Sequence, residues 1–201
     1  FWAKVTHADM DDQSFISKKQ GADDFWRIRT INAGQPAAGK IYVVGKTGGV
    51  EAFAMTGAGV TDALIDTWVH YCVTIDRDGN GIIYVNGVTT TYGSTTDISG
   101  GSSVNLDNTG SLQIGAFVDA GMEGLMDEAA IWDTVLDADA VAAIYAAGRS
   151  YDLTADTGNY DNASDLEGYW RMGEGSGDIA SEGLVRDQVD TGFGADLVTN
   201  G

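Results

Sequence analysis

The pattern of apolar and polar positions along this chain is mostly that of short β-strands. Residues 68–75 read WVHYCVTI, in which Val69, Tyr71, Val73 and Ile75 alternate with a second set that is also rich in β-branched and aromatic side chains. Residues 82–87 read IIYVNG, and between the two runs lies DRDGNG at residues 76–81. Asn and Gly tolerate the positive φ that a tight turn requires. The pattern therefore predicts a β-hairpin centred on residues 76–81.

The same DRDGNG stretch also begins like an EF-hand calcium loop. It has alternating oxygen ligands and a glycine at the sharp turn. The twelfth position of such a loop must be a Glu, and here it is Gly87, without a helical pattern on either side. A hairpin turn is the preferred interpretation, although a turn this acidic can still bind Ca²⁺. The candidate calcium ligands are Asp76, Asp78, Asn80 and Asp119, with the acidic turn at Asp9, Asp11 and Asp12 as an alternative.

Further strands and one helix complete the predicted elements. The predicted strands are residues 1–6, 14–19, 24–31, 40–45, 50–55, 111–117, 122–133 and the start of 166–178. In the third of them Phe25, Arg27 and Arg29 alternate with Trp26, Ile28 and Thr30, so one face is apolar and the other basic. Residues 89–110 are rich in Gly, Ser, Thr and Asn, which predicts a long loop or an edge region. The spacing of the strands favours a sandwich.

The one convincing helix covers residues 138–147. Asp137 can cap its first turn, Val141, Ile144 and Tyr145 form its apolar stripe, and Gly148 ends it. Because the stripe is narrow, we expect the helix to pack against the rim of the sandwich. Residues 151–165 form a polar linker to the last predicted strand.

Composition narrows the function classes. The 201 residues carry a net charge of -19, which repels nucleic acid and anionic membranes. No run of 18 apolar residues predicts a membrane span, and no signal peptide is visible. A single cysteine, Cys72, excludes an internal disulfide, and its place in a strand predicts a buried apolar role. The two histidines, His7 and His70, have no zinc-ligand spacing.

Since the chain opens on FWAKV without Met, we expect a processed or partial segment of a longer polypeptide.

Four segments together resemble laminin G-like, concanavalin A-like jelly-roll domains. They are FWAK at residues 1–4, WVHYCVTID at 68–76, IIYVNG at 82–87 and GLMDEAAIWDTVLDADAVAAIYAAG at 124–148, in the order of that family. The resemblance implies an all-β fold, a two-sheet antiparallel β-sandwich with one short helix, over residues 1–150. Residues 151–201 would then be a linker and a strand segment, GYWRMGEGSGD, that completes the same sandwich or enters a following module.

The resemblance implies binding through loops rather than catalysis. Related domains bind glycans, proteins or Ca²⁺, and the ending of this chain is similar to tailed-phage virion proteins that decorate capsids or form fibres. The expected function is thus a non-catalytic structural or adhesion module at a virion or extracellular surface, with other surface proteins, further copies of itself or cell-surface glycans as partners. The alternatives are a free-standing lectin-like module and a fragment of a glycoside hydrolase.

The glycoside hydrolase alternative requires three acidic residues at a particular spacing along one strand. Retaining members of this fold carry E-x-D-x-x-E on one strand, because period-two spacing aims the carboxylates into one groove about 5 Å apart. Here the nearest match is Glu123, Asp127 and Glu128. On a continuous strand Glu123 and Asp127 share a face and Glu128 lies on the other, so the pattern is broken. We expect a structural role for Asp127, and no catalytic residue is assigned.

Overall fold

The chain folds into two five-stranded antiparallel sheets. The computed structural model describes residues 1–6, 13–31, 40–57, 64–89, 93–117, 120–172, 175, 184–189 and 197–198. The first sheet has the order β12-β1-β6-β7-β8. Its members are β1 (Trp2–Val5), β6 (Val69–Ile75), β7 (Asn80–Val85), β8 (Ser94–Asp97) and β12 (Gly124–Asp127).

The second sheet has the order β5-β4-β3-β2-β9. Its members are β2 (Ser14–Gln20), β3 (Asp24–Thr30), β4 (Ile41–Thr47), β5 (Val50–Thr56) and β9 (Leu112–Ile114). Three short pairs stand beside the two sheets: β10 (Ala116–Phe117) with β11 (Ala120–Gly121), β13 (Ala129–Trp132) with β14 (Leu166–Trp170), and β15 (Leu184–Val185) with β16 (Leu197–Val198). The predicted concanavalin A-like β-sandwich is confirmed.

The main core lies between the two sheets. Alternate residues of β1 and β6, such as Ala3, Val69 and Tyr71, meet Ile16, Ile41 and Val43 of the second sheet, and all are buried. In β3 the predicted two-faced pattern is confirmed, because Trp26 and Ile28 pack against this core while Arg27 contacts Phe117 outside it. Burial of this apolar surface supplies the main stabilisation of the fold.

The β6–β7 hairpin forms where the sequence predicts it. Ile75 pairs with Gly81, and the backbone N–H of Gly79 donates to the carbonyl of Asp76 at 3.1 Å. The Asp76 carboxylate accepts from the N–H of Asp78 at 3.1 Å, so the acidic side chain closes the turn.

The helix α1 (Ala138–Ala147) has the predicted bounds and cap. The Asp137 side chain accepts from the N–H of Ala140 at 2.8 Å, and Gly148 ends the helix with a φ of 81°. Its buried residues join a second core with Tyr84 of β7, and Tyr145 stacks on Trp2 of β1 with ring centroids 5.7 Å apart. The helix therefore covers the outer face of the first sheet, and the prediction that it packs on the rim was wrong.

The Gly/Ser/Thr-rich segment contains an edge strand. Within residues 89–110 the structure places β8 and a 3₁₀ turn at Ser99–Gly101. Since β8 is the last strand of the first sheet and has polar, half-exposed side chains, the edge interpretation of this segment holds.

The predicted strand over residues 122–133 is in fact two strands that belong to different sheets. β12 pairs with β1, whereas β13 pairs with β14, and Glu128 between them has a φ of 49°. A single strand over residues 122–133 would place Leu125, Asp127, Ala129 and Ile131 on one face, as the alternation of the sequence predicts, and this prediction was wrong. Leu125 is 56% exposed, while Ala129 and Ile131 pack in the main core. The break at Glu128 shifts the alternation by one residue, which a run of apolar letters does not reveal.

No helix within the described ranges has the length and apolar character needed to cross a membrane.

Candidate functional site

The three acidic residues nearest to a glycosidase pattern do not form a groove. Glu123 is exposed and precedes β12. Asp127 pairs with Trp2, and the side chain of Glu128 lies near Trp2 and His70, on the side of the sheet that the helix covers. The prediction that Asp127 and Glu128 lie on opposite faces was wrong, because the positive φ of Glu128 turns both side chains the same way.

Asp127 is held by an arginine. Its Oδ2 lies 3.1 Å from Nη1 of Arg149, and its Oδ1 accepts from the backbone N–H of Glu128 at 3.0 Å. The guanidinium of Arg149 also lies 4.0 Å from the ring centre of Trp68. Arg149 directly follows the helix end, so this ion pair connects the end of α1 to β12 and to the start of β6.

Glu128 is held more tightly and is more deeply buried. Its Oε1 accepts from Nε of Arg171 at 3.1 Å, and its Oε2 accepts from the hydroxyl of Tyr169. Burial raises the pKa of the Glu128 carboxyl above its usual value, against the opposing effects of Tyr169 and Arg171. Burial, together with the neighbouring carboxylate, also raises the pKa of Tyr169. Both partners come from β14 and the residue that follows it, so this cluster connects β14 to the break between β12 and β13.

A raised carboxyl pKa is a common property of catalytic acids, so the space around Glu128 decides what it can do. The cavity beside it, lined by Trp2, His70 and Trp132 among others, has a volume of about 10 Å³. That is about the least volume that holds one water molecule. A sugar ring cannot reach this carboxylate in the described structure, and the cluster acts as an internal clamp.

The other groups with catalytic potential are also packed. His70 is buried between Trp2 and Tyr145, and burial lowers its pKa well below the usual value, so the ring is neutral at pH 7. Burial raises the pKa of the Cys72 thiol to about 11, which leaves little thiolate at neutral pH. His7 lies outside the described residues.

The calcium candidates are only partly described. Asp76 and Asp78 lie in the β6–β7 turn and Asn80 begins β7, whereas Asp9, Asp11, Asp12 and Asp119 lie outside the described residues. Among the described side chains, no three His, Cys, Asp or Glu residues are grouped as a metal site requires. Calcium binding by the turn, with the amide oxygen of Asn80 and with Asp119, stays a prediction.

A basic and aromatic surface, which we call the β3 face, lies on the outer side of the second sheet. Arg27 is buried beneath this surface, with its guanidinium 4.1 Å from the ring centre of Phe117, and the ammonium of Lys19 lies 4.9 Å from the same ring. Phe25 contacts Phe117 edge-on at 5.4 Å between centroids. The surface is completed by Arg29, whose guanidinium lies 5.0 Å from the ring centre of Tyr42.

Part of the signal for this surface is visible in the sequence. Arg27 and Arg29 alternate with apolar residues on β3, and six of the 11 basic residues fall within positions 18–46. The contributions of Phe117 and Tyr42 depend on which strands and hairpins are neighbours, so a single chain pattern does not show them. Aromatic rings and guanidinium groups are the side chains that stack on sugars and bind their polar groups.

A comparison with protein families identifies the fold family. The model of the concanavalin A-like lectin/glucanases superfamily, of the laminin G type, matches residues 1–142. No curated protein matches the chain. The match covers more than two thirds of the sequence and includes every strand of both large sheets. This chain belongs to the concanavalin A-like lectin/glucanases superfamily.

Proposed function

We propose that this chain is a non-catalytic structural and adhesion module of a virion or other extracellular surface, as in a phage decoration or fibre protein. It works by binding other surface proteins, further copies of itself or cell-surface glycans. The observation that carries the proposal is the state of the two buried carboxylates. Asp127 is bound to Arg149, Glu128 is bound to Arg171 and Tyr169, and the space beside Glu128 admits no substrate.

The charge of the chain supports the same class of function. A net charge of -19 keeps a surface protein soluble and disfavours nucleic acid as a partner. The superfamily contains both lectins and glucanases, so the fold alone does not choose between binding and catalysis. The ion pairs of Asp127 and Glu128, and the hydrogen bond from Tyr169 to Glu128, favour a binding function over catalysis.

The first experiment determines the assembly state of the protein from its native source, by mass spectrometry of the intact protein and electron microscopy. We expect it on a virus particle or a filament. A soluble monomer would contradict the virion part of the proposal. In parallel, the chain is incubated with labelled oligosaccharides, and release of shorter products would overturn the non-catalytic assignment.

A lectin is the second candidate function, and the β3 face favours it. This surface brings two phenylalanine rings, a tyrosine, Lys19 and Arg29 together on the outside of the sandwich, above the buried Arg27. Such a surface suits a glycan whose ring faces stack on aromatic side chains and whose hydroxyl or acidic groups bind to arginine.

Glycan-array binding tests the lectin function directly. Tyr42→Ala and Arg29→Gln remove contact groups from the β3 face. Val88→Ala is the control, because it removes an exposed apolar group from the turn after β7. If the β3 face binds glycans, the first two variants lose binding and the control does not. Equal binding by all three would place the glycan site elsewhere. Repeating the array with CaCl₂ and with EDTA tests the predicted calcium turn at Asp76, Asp78 and Asn80.

A further inference from the structure

The two outer sides of the sandwich carry opposite charge. Residues 18–46, which contain β3 and most of β4 in the second sheet, hold six basic and two acidic residues. Residues 133–167, which contain α1 and the segment that leads from it to β14, hold eight acidic residues and one basic residue, Arg149. The chain has 30 acidic and 11 basic residues in all, so its positive charge is concentrated on one side of an acidic molecule.

On the second sheet the positive charge lies in the β3 face. Lys19 pairs with Phe25, and Phe25 pairs with Lys46, so these three side chains form one row across β2, β3 and β4. Arg29 and Tyr42 form a second row, four residues or about 13 Å farther along β3. All five side chains are partly exposed. Each row therefore presents an aromatic ring beside a cationic group to a partner.

The segment with α1 presents the opposite charge on the outer side of the first sheet. Its apolar side chains pack in the second core, which places it on the side of the sandwich away from the β3 face. Val135 and Tyr145 add apolar groups that are 50% and 38% exposed. We call this surface the acidic side, and its exposed carboxylates are those of Asp133, Asp137, Asp139, Asp152, Asp156 and Asp161.

We propose that the β3 face of one copy docks on the acidic side of a second copy of this chain. This inference rests on the part of the proposed function in which further copies are partners, and it names the two surfaces that meet. Complementary charge is the reason for this occupant, since the cations of the β3 face meet carboxylates and the apolar groups of both surfaces lie among them.

The placement of the charges favours a head-to-tail contact. Two β3 faces repel each other, and so do two acidic sides, which disfavours a two-fold symmetric contact through either surface. One chain cannot bring its own two surfaces together, because they lie on opposite sides of the sandwich. Each copy added leaves one surface of each kind free at the ends. The contact therefore repeats and builds an open row of copies, unless the rotation between copies closes a ring.

The net charge of -19 is compatible with this contact at physiological ionic strength. Repulsion between whole copies acts over long distances and is screened beyond about 8 Å at 0.15 M salt, whereas opposite charges in contact are closer than that. At 1 M salt the screening length falls to about 3 Å. We therefore expect copies to associate at about 0.15 M NaCl and to separate at about 1 M NaCl.

The test reverses one charge on each surface. Lys46→Glu changes the β3 face, and Lys4→Glu is its matched control. Each lysine lies 3.9 Å from a carboxylate, and their side chains are 36% and 30% exposed, but Lys4 belongs to the first sheet. Asp161→Lys changes the acidic side, and Asp78→Lys, at an exposed position of the β6–β7 turn, is its control.

Sedimentation velocity over a range of protein concentrations measures the association constant of each chain. We expect Lys46→Glu and Asp161→Lys each to lower it by about tenfold or more, while the two controls leave it nearly unchanged. We also expect an equimolar mixture of Lys46→Glu and Asp161→Lys to form pairs. The first variant keeps its acidic side and the second keeps its β3 face, so one complementary contact remains.

Several results would overturn the proposal. The original chain could sediment as a monomer up to about 1 mM, a concentration that detects even weak association. Lys46→Glu could weaken association no more than Lys4→Glu does, or the mixture of the two variants could fail to form pairs, which would show that these surfaces do not meet. A monomer that binds the acidic polysaccharide polygalacturonate, and loses that binding in Lys46→Glu, would assign the β3 face to a glycan instead. Failure of self-docking is separate from failure of the proposed function, because the location of the native protein and its hydrolytic activity are measured independently.

Discussion

Two arginines of this chain form ion pairs of the same length in different surroundings. Arg171 and Glu128 are 3.1 Å apart with side chains 15% and 4% exposed, and Arg149 and Asp127 are 3.1 Å apart at 40% and 11%. Removing one partner of a buried pair leaves the other charge without compensation. We therefore expect Arg171→Met to lower the free energy of unfolding by about 3–5 kcal/mol.

Arg149→Met is the matched control, with a smaller expected loss of about 1–3 kcal/mol of unfolding free energy. Arg149 is 40% exposed, and the buried Asp127 keeps its hydrogen bond from the N–H of Glu128. Urea unfolding followed by tryptophan fluorescence measures both. If both variants lose the same free energy of unfolding, the burial of Glu128 does not determine how much its ion pair with Arg171 contributes to stability.

The raised pKa of Glu128 makes its contribution depend on pH. Below the ordinary glutamate value of 4.5 the carboxyl is protonated in both the folded and the unfolded chain. As the pH rises, the unfolded chain releases this proton first, so the stability that the group contributes is lost as the pH passes the raised folded pKa.

We expect Glu128→Gln to gain stability relative to the original chain as the pH is raised from about 4.5, the ordinary value, toward 7. The measurement is the difference in free energy of unfolding between the two chains at several pH values. Glu123→Gln, at an exposed position, controls for the loss of one negative charge. A difference that is constant or shrinks would show that Arg171 and Tyr169 keep the folded pKa at or below the ordinary value.

At the scale of elements, the turn Ser99–Gly101 shows how closely the two sheets approach at one edge. The carbonyl of Gly101 accepts from the Arg77 guanidinium, and a Cβ on Gly101 would overlap the carbonyl oxygen of Ala52 in β5. Gly100 beside it has open space around its Cα.

Gly101→Ala is therefore expected to cost about 1–3 kcal/mol of unfolding free energy, because backbone on both sides must move. Gly100→Ala adds the same methyl group without a clash and should leave stability unchanged or raise it by up to about 1 kcal/mol. Thermal unfolding of both variants tests this. If Gly100→Ala destabilises the chain as much as Gly101→Ala does, the cause is the reduced flexibility of the turn and not a clash with β5.

The elements that could be predicted are those whose signals are local. The β6–β7 hairpin has two alternating runs around an Asp/Asn/Gly turn, and α1 has its own cap and terminal glycine. The break at Glu128, where φ is positive, could not be predicted, because the partners of its side chain, such as Arg171, lie far away in the sequence, 43 residues in that case. Likewise the β3 face depends on which strands are neighbours, and the clamp depends on pairing between β13 and β14.

At the scale of the whole molecule, β14 joins the two cores. Trp170 packs in the main core between the sheets, while Leu166 and Tyr169 pack in the second core under the helix. Trp170 and Tyr169 are fully buried, and β14 pairs with β13 along its length. The sequence left open whether residues 151–201 complete this sandwich or enter a following module, and the stability of shortened chains can decide between these alternatives.

A chain of residues 1–165, which lacks β14, is expected to lose cooperative unfolding. Both cores would be opened at once and Glu128 would keep neither Arg171 nor Tyr169. Trp170→Ala in the full chain removes only the packing of one β14 side chain in the main core. Its expected cost is about 3–5 kcal/mol of unfolding free energy. Trp68→Ala, at a half-buried position beside Arg149, is the control and should cost less. Cooperative unfolding of residues 1–165 at the original stability would show that β14 belongs to a separate module, because a strand that completes the core cannot be removed without exposing it.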